Sequence, residues 1–174
     1  ELEIHSKPGE WETWKIKAID KSLFLIKVLK DPEKNTREIV LHNIDKQTLK
    51  SSPEKITIDE VPCSGKSCDE RGGLWFRNSP DQSQYVIAYS LPYDKKQNER
   101  MSIHVIDENT NRVWNKMVTF PYPDSRCRIN SMLLDEAGNV YMSALIWKEK
   151  KARKKGKPVY QTHLFAYRNN GTVY

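Results

Sequence analysis

The side chains best able to do chemistry are two neighbouring cysteines, two matched histidines, two matched aspartates and one run of bases. Cys63 and Cys68 bracket "CSGKSC", a short Gly/Ser turn, and in an oxidising compartment they could close a small ring. Free thiols are the alternative, and Cys127 stands apart in "SRCRI". A zinc site needs four ligands and only two lie close in sequence, so neither a metal nor another cofactor is expected. His42 and His104 each sit near the end of an apolar run, followed three residues on by Asp45 and Asp107. A catalytic or metal-binding role would need converging partners. Cross-strand packing or solvent exposure accounts for the histidines, and backbone-bonding turns account for the aspartates. There is no Gly-Xaa-Ser-Xaa-Gly elbow, phosphate-cradling glycine loop or His-Glu-Xaa-Xaa-His, and seven glycines leave little for such loops. No catalytic residue is assigned.

The bases are a different matter. In "KEKKARKKGK" at 148–157, seven residues are basic and one, Glu149, is acidic. That run alone accounts for the net charge of +6, so the remainder of the chain is balanced and the pI of about 9.1 describes one appendage. The run has no interleaved aromatics, so specific nucleic-acid recognition is not expected. A basic hairpin would instead hold polyanions such as an acidic glycan or a lipid headgroup, weakly and with strong salt dependence.

What positions these residues follows from length and pattern. At 174 residues the chain can bury one domain's core. A 37% hydrophobic and 30% charged composition is polar, but 10% aromatics in regularly spaced apolar runs argue against disorder. No apolar run approaches the roughly twenty residues of a membrane-spanning helix. The chain begins with Glu1, which is compatible with removal of a leader.

The sequence also repeats. "REIVLHNIDKQT" (37–48), "MSIHVIDENTNR" (101–112) and "QTHLFAYRNNGT" (161–172) align at Ile44, Ile106 and Tyr167, and His163 falls out of the register shared by His42 and His104. The strands before them align as "SLFLIKVLK" (22–30), "QYVIAYSLP" (84–92) and "NVYMSALIW" (139–147). A third correspondence sets "NSPDQSQY" against "LLDEAGNVY", with turns six residues before Tyr85 and Tyr141. Each unit reads as four short strands punctuated by turns, at 12–19, 22–29, 37–44 and 54–60; at 73–78, 84–91, 101–106 and 112–120; and at 129–134, 139–147, 160–167 and from Gly171. The nine prolines fall at or beyond strand ends.

Four antiparallel strands recurring three times indicate an all-β fold, a β-propeller or part of one, with blades near 1–62, 63–122 and 123–174 in a single domain. "SPDQSQYVIAYS" and "LDEAGNVYMSA" resemble the turn-then-strand motifs of bacterial Tol-type and NHL-like propellers, a resemblance that implies fold rather than function. The Gly-His and Trp-Asp signatures of the best-known propeller family are absent. About three blades is fewer than closed propellers have, so the expectation is a piece of a longer protein or a ring completed by partner chains.

Blade topology puts the second-to-third-strand loops (30–36, 92–100, 148–158) on one face with the blade-to-blade loops (62–73, 121–130). That face collects the cysteines, Arg71, Tyr93, Tyr122, Arg126, Arg128 and the hairpin bases Lys150, Lys151, Arg153, Lys154 and Lys155. Loops on a rigid scaffold are where function concentrates. The expected function is a binding or assembly module for a protein or polyanionic ligand, at the cell envelope, in the periplasm or secreted. The alternative is a piece of a propeller hydrolase or lyase whose active residues lie in other blades.

Overall fold

In the computed structural model of the chain, the described residues are 13–19, 22–31, 33–63, 73–149 and 156–168. They form eleven strands and one 3-10 turn: β1 (Thr13–Ile19), β2 (Ser22–Asp31), β3 (Thr36–Ile44), β4 (Ser51–Pro62), β5 (Leu74–Asn78), β6 (Gln84–Ser90), β7 (Asn98–Asp107), β8 (Arg112–Pro123), η1 (Asp124–Arg126), β9 (Cys127–Leu134), β10 (Val140–Trp147) and β11 (Tyr160–Tyr167). The strands make three antiparallel up-and-down sheets, ordered β1-β2-β3-β4, β5-β6-β7-β8 and β11-β10-β9. This is the all-β, blade-by-blade architecture that the repeat predicts, with the Ile44, Ile106 and Tyr167 strands third in each sheet. The segment from Gly171 lies outside the described residues. Among the described residues no helix is long and apolar enough to cross a membrane.

The chain divides into two compact units, Glu1–Arg71 and Gly72–Tyr174. In the first, Phe24, Leu25 and Ile26 of β2 and Ile39, Val40 and Leu41 of the paired β3 are all buried, with Ile26 directly opposite Leu41. Consecutive rather than alternating burial means that both faces of these inner strands are covered, which is why they read as unbroken apolar runs. The second unit holds two sheets packed face to face. Val86, Ala88, Met101, Ile103, Val105, Val118 and Phe120 of β6–β8 form one core with Ile129, Met132, Val140, Met142, Ala144 and Ile146 of β9 and β10. On β10 burial alternates, and on β9 it alternates on either side of a bulge at Asn130–Ser131, so their second face lacks that cover.

The turns are built alike. Asp45 Oδ1 accepts from the Gln47 and Thr48 amides, Asp107 Oδ1 from those of Asn109 and Asn111, and Asp135 Oδ1 from that of Asn139. Each aspartate's turn then passes through one residue of positive φ: Leu49 (55°), Thr110 (67°) and Gly138 (78°). Gly138 suits its turn because L side chains rarely adopt this φ. A side chain there would meet Gln84 Oε1 at 2.6 Å, and its carbonyl accepts the Trp114 indole N–H at 2.8 Å, tying β8 to the β9–β10 turn.

Pairing corrects the Tyr85–Tyr141 correspondence. Tyr85 pairs with Ile106, and Val140, not Tyr141, pairs with Tyr167. The Ser79–Gln84 turn is one residue longer than the Asp135–Asn139 turn that matches it. Tyr85 therefore corresponds to Val140, as the strand alignment starting at Gln84 and Asn139 requires. A one-residue slip would reverse every side chain.

Candidate functional site

The second unit's long-loop edge is assembled from the β6–β7 loop, η1 and the root of the β10–β11 hairpin. Strands reach further into it than the sequence pattern suggests. Asn98–Arg100 belong to β7, Tyr122 to β8 and Arg128 to β9, so Tyr122 and Arg128 are strand residues and not loop residues. The extension arises because these segments keep ladder partners, Asn98 with Pro123 and Arg128 with Leu145.

The loop and η1 are joined by the backbone. The Asp94 amide donates to Asp124 Oδ2 at 2.9 Å, and the Asp124 amide donates to the Gln97 carbonyl at 3.0 Å. Beneath them lies Glu99, only 6% exposed. Burial, and then a hydrogen bond to Asp124, push the Glu99 carboxyl up to about 8, with Ser90 opposing as a further hydrogen-bond partner. Glu99 therefore keeps its proton to higher pH than an ordinary carboxyl, with Asp124 as a hydrogen-bond partner. Cys127 lies under the same edge, and burial together with the Glu99 and Asp124 charges pushes its thiol up to about 12. It is a free, buried cysteine and a poor nucleophile.

Arg126 fixes the hairpin root. Its Nε donates to the Trp147 carbonyl at 2.7 Å and its Nη1 lies 3.2 Å from Glu149 Oε1. The Lys148 amide donates to the Val159 carbonyl, and the Trp147 and Tyr160 rings lie 6.3 Å apart across the same root. Tyr122 contacts the adjoining sheet: its Oη lies 3.0 Å from His163 Nδ1, with the two rings edge to face. Tyr93 is exposed on the β6–β7 loop, and Arg128 is exposed on β9. Of the candidate residues, Tyr93, Tyr122, Arg126 and Arg128 are therefore described. Arg71, Cys68, Lys150, Lys151, Arg153, Lys154 and Lys155 lie outside the described residues.

In the first unit, Cys63 is disulfide-bonded and its amide donates to the Asn35 carbonyl of the β2–β3 turn at 2.8 Å. One of the two histidines is packed into the core. His104 is buried, its Nε2 is 2.9 Å from Ser102 Oγ, and its ring stacks on Tyr89 at 5.9 Å. His42 is half-buried, and burial and then Lys27 lower its pKa. Among the described residues no group of three or more His, Cys, Asp or Glu could hold a metal ion.

The Glu99–Asp124 pair escaped sequence reasoning. The two are 25 positions apart, in "QNER" and "YPDS", and each passes for an ordinary loop charge. The available signal was positional: both fall beside loops that the blade topology sends to one edge.

No protein-family model and no curated protein matches the sequence. Among solved structures, the GH43 endo-arabinanase from Bacillus licheniformis aligns with 94% of this chain and 76% of its own, at 9% identity and a TM-score of 0.28. At that level the likeness carries neither fold nor activity, and the architecture above rests on strand pairing alone.

Proposed function

We propose that this chain is a propeller-type binding module whose ligand face is the long-loop edge and whose ligand is polyanionic. The observation that carries this reading is the anchored hairpin root. Arg126 holds the Trp147 carbonyl directly before the segment containing the chain's whole excess positive charge. Seven bases within ten residues of sequence, next to a fixed root, concentrate the field that a glycan or lipid headgroup meets. The turn-then-strand pattern favours Tol-type or NHL-like kinship. The Cys63 disulfide supports an oxidising location, in the periplasm, at the cell envelope or outside the cell.

The test replaces Lys150, Lys151, Arg153, Lys154 and Lys155 with glutamine. Retention on heparin and on anionic vesicles should be lost with little change in melting temperature. Binding by the parent should fall steeply between low and physiological salt. Unchanged retention in the substituted protein would end this reading.

A further inference from the structure

The second face of β9–β11 is open and apolar. Leu133, Tyr141 and Leu164 line a groove of about 380 Å³ together with Ser131, Ser143 and Ala166, and among the described residues no charged side chain lines it. Leu164 is 80% exposed and Tyr141 40%. In a chain that is 30% charged, an apolar face of this kind marks a surface built to be covered.

The corrected register identifies the cover. Tyr85 corresponds to Val140, so Val86 and Ala88 correspond to Tyr141 and Ser143. Across the ladder, Val105 pairs with Val86 and Ile103 with Ala88, just as Ala166 pairs with Tyr141 and Leu164 with Ser143. Position for position, the open face of β9–β11 therefore repeats the face formed by Val86, Ala88, Ile103 and Val105. That earlier face is fully buried, and what buries it is the next sheet in the chain. Leu164, at 80% exposure, stands where Ile103 has none.

We propose that the open face of β9–β11 seats a further antiparallel sheet of the same design, following in the same polypeptide. The occupant presents an alternating apolar face like the one β9–β11 turns towards β5–β8, with Val140, Met142 and Ala144 as its template. It covers Leu164 and Tyr141 as β9–β11 covers Ile103 and Val86. The surface is separate from the loop edge that carries the basic hairpin, so either proposal can fail without the other.

The test uses the intact polypeptide from its source cell. Leu164→Cys is labelled with a thiol reagent beside Met117→Cys, whose position is 64% exposed on β8. The expected result is labelling at least tenfold slower at position 164, independent of protein concentration. Equal rates overturn the proposal. Protection that disappears on dilution, together with a dimer, makes a second copy the occupant and also overturns it. Photocrosslinking from p-benzoylphenylalanine at position 164 names the neighbour. A peptide from beyond residues 1–174 of the same polypeptide is expected, and one from within them or from another protein refutes the proposal. Should the substituted chains misfold, hydroxyl-radical footprinting of the unsubstituted polypeptide compares Leu164 and Tyr141 with the exposed controls Leu49 and Tyr93. Similar oxidation of the two sets overturns the proposal, and protection of Leu164 and Tyr141 supports it.

Discussion

Arg126 Nε lies 2.7 Å from the carbonyl oxygen of Trp147, joining η1 to the last residue of β10. A guanidinium donating to a strand's terminal carbonyl satisfies a group that would otherwise lack its ladder partner, and the charge strengthens the bond. The neighbouring contact with Glu149 is half-exposed and contributes little by comparison.

Arg126→Ala should therefore cost about 1–3 kcal/mol, read as a lower melting temperature. It should also loosen the hairpin root. Hydrogen exchange at the Lys148 amide, which bonds to the Val159 carbonyl, should accelerate more than exchange in β6 or β7. Arg126→Lys restores the charge but not the planar fork, and should rescue only part of the loss. Unchanged exchange at Lys148 in Arg126→Ala would show that the hairpin root is held by its own ladder.

Glu99 makes stability depend on pH. Its folded value of about 8 lies above the ordinary 4.5, so the folded state binds the extra proton. The stability due to the neutral, buried acid is complete below about 4.5 and is lost as pH rises through about 8, at no more than about 1.4 kcal/mol per pH unit. Glu99→Gln keeps a donor for Asp124 and cannot ionise. It should match the parent near pH 4 and exceed it by roughly 2–4 kcal/mol at pH 9. Denaturant melts at both pH values would decide this; parallel curves for the two proteins would remove Glu99 as the titrating group.

The cysteines should separate by accessibility and by redox state. In the native protein Cys127 should react very slowly with iodoacetamide at neutral pH, being buried with its thiol pushed up to about 12. In denaturant without reductant, protein taken from an oxidising compartment should show one alkylated thiol, because Cys63 is held in a disulfide. Mass spectrometry reads the count. Three modified cysteines would refute the bond.

Local chemistry made the strands legible in the sequence. Runs such as "QYVIAYS" alternate or bury completely, and the aspartates at 45, 107 and 135 bind backbone amides within their own turns, so both signals are short-range. The repeat followed because the same short-range pattern recurs, and with it came the sheet order. The one error of register arose from one extra residue in the Ser79–Gln84 turn, which only ladder pairing resolves. The site was less legible. Arg126 and Tyr122 could be placed at the right edge, but not with their partners Trp147 and His163, because contacts across sheets depend on how two faces meet. Glu99 and Asp124 carry no mark of their pairing, since a carboxylate's burial is a property of its surroundings and not of its neighbours in sequence. The same holds for Ile103 and Leu164. They occupy equivalent places in equivalent strands and are interchangeable to any pattern of apolar residues. One is core and the other is surface only because a sheet lies against the first, and that cover exists nowhere but in the tertiary structure.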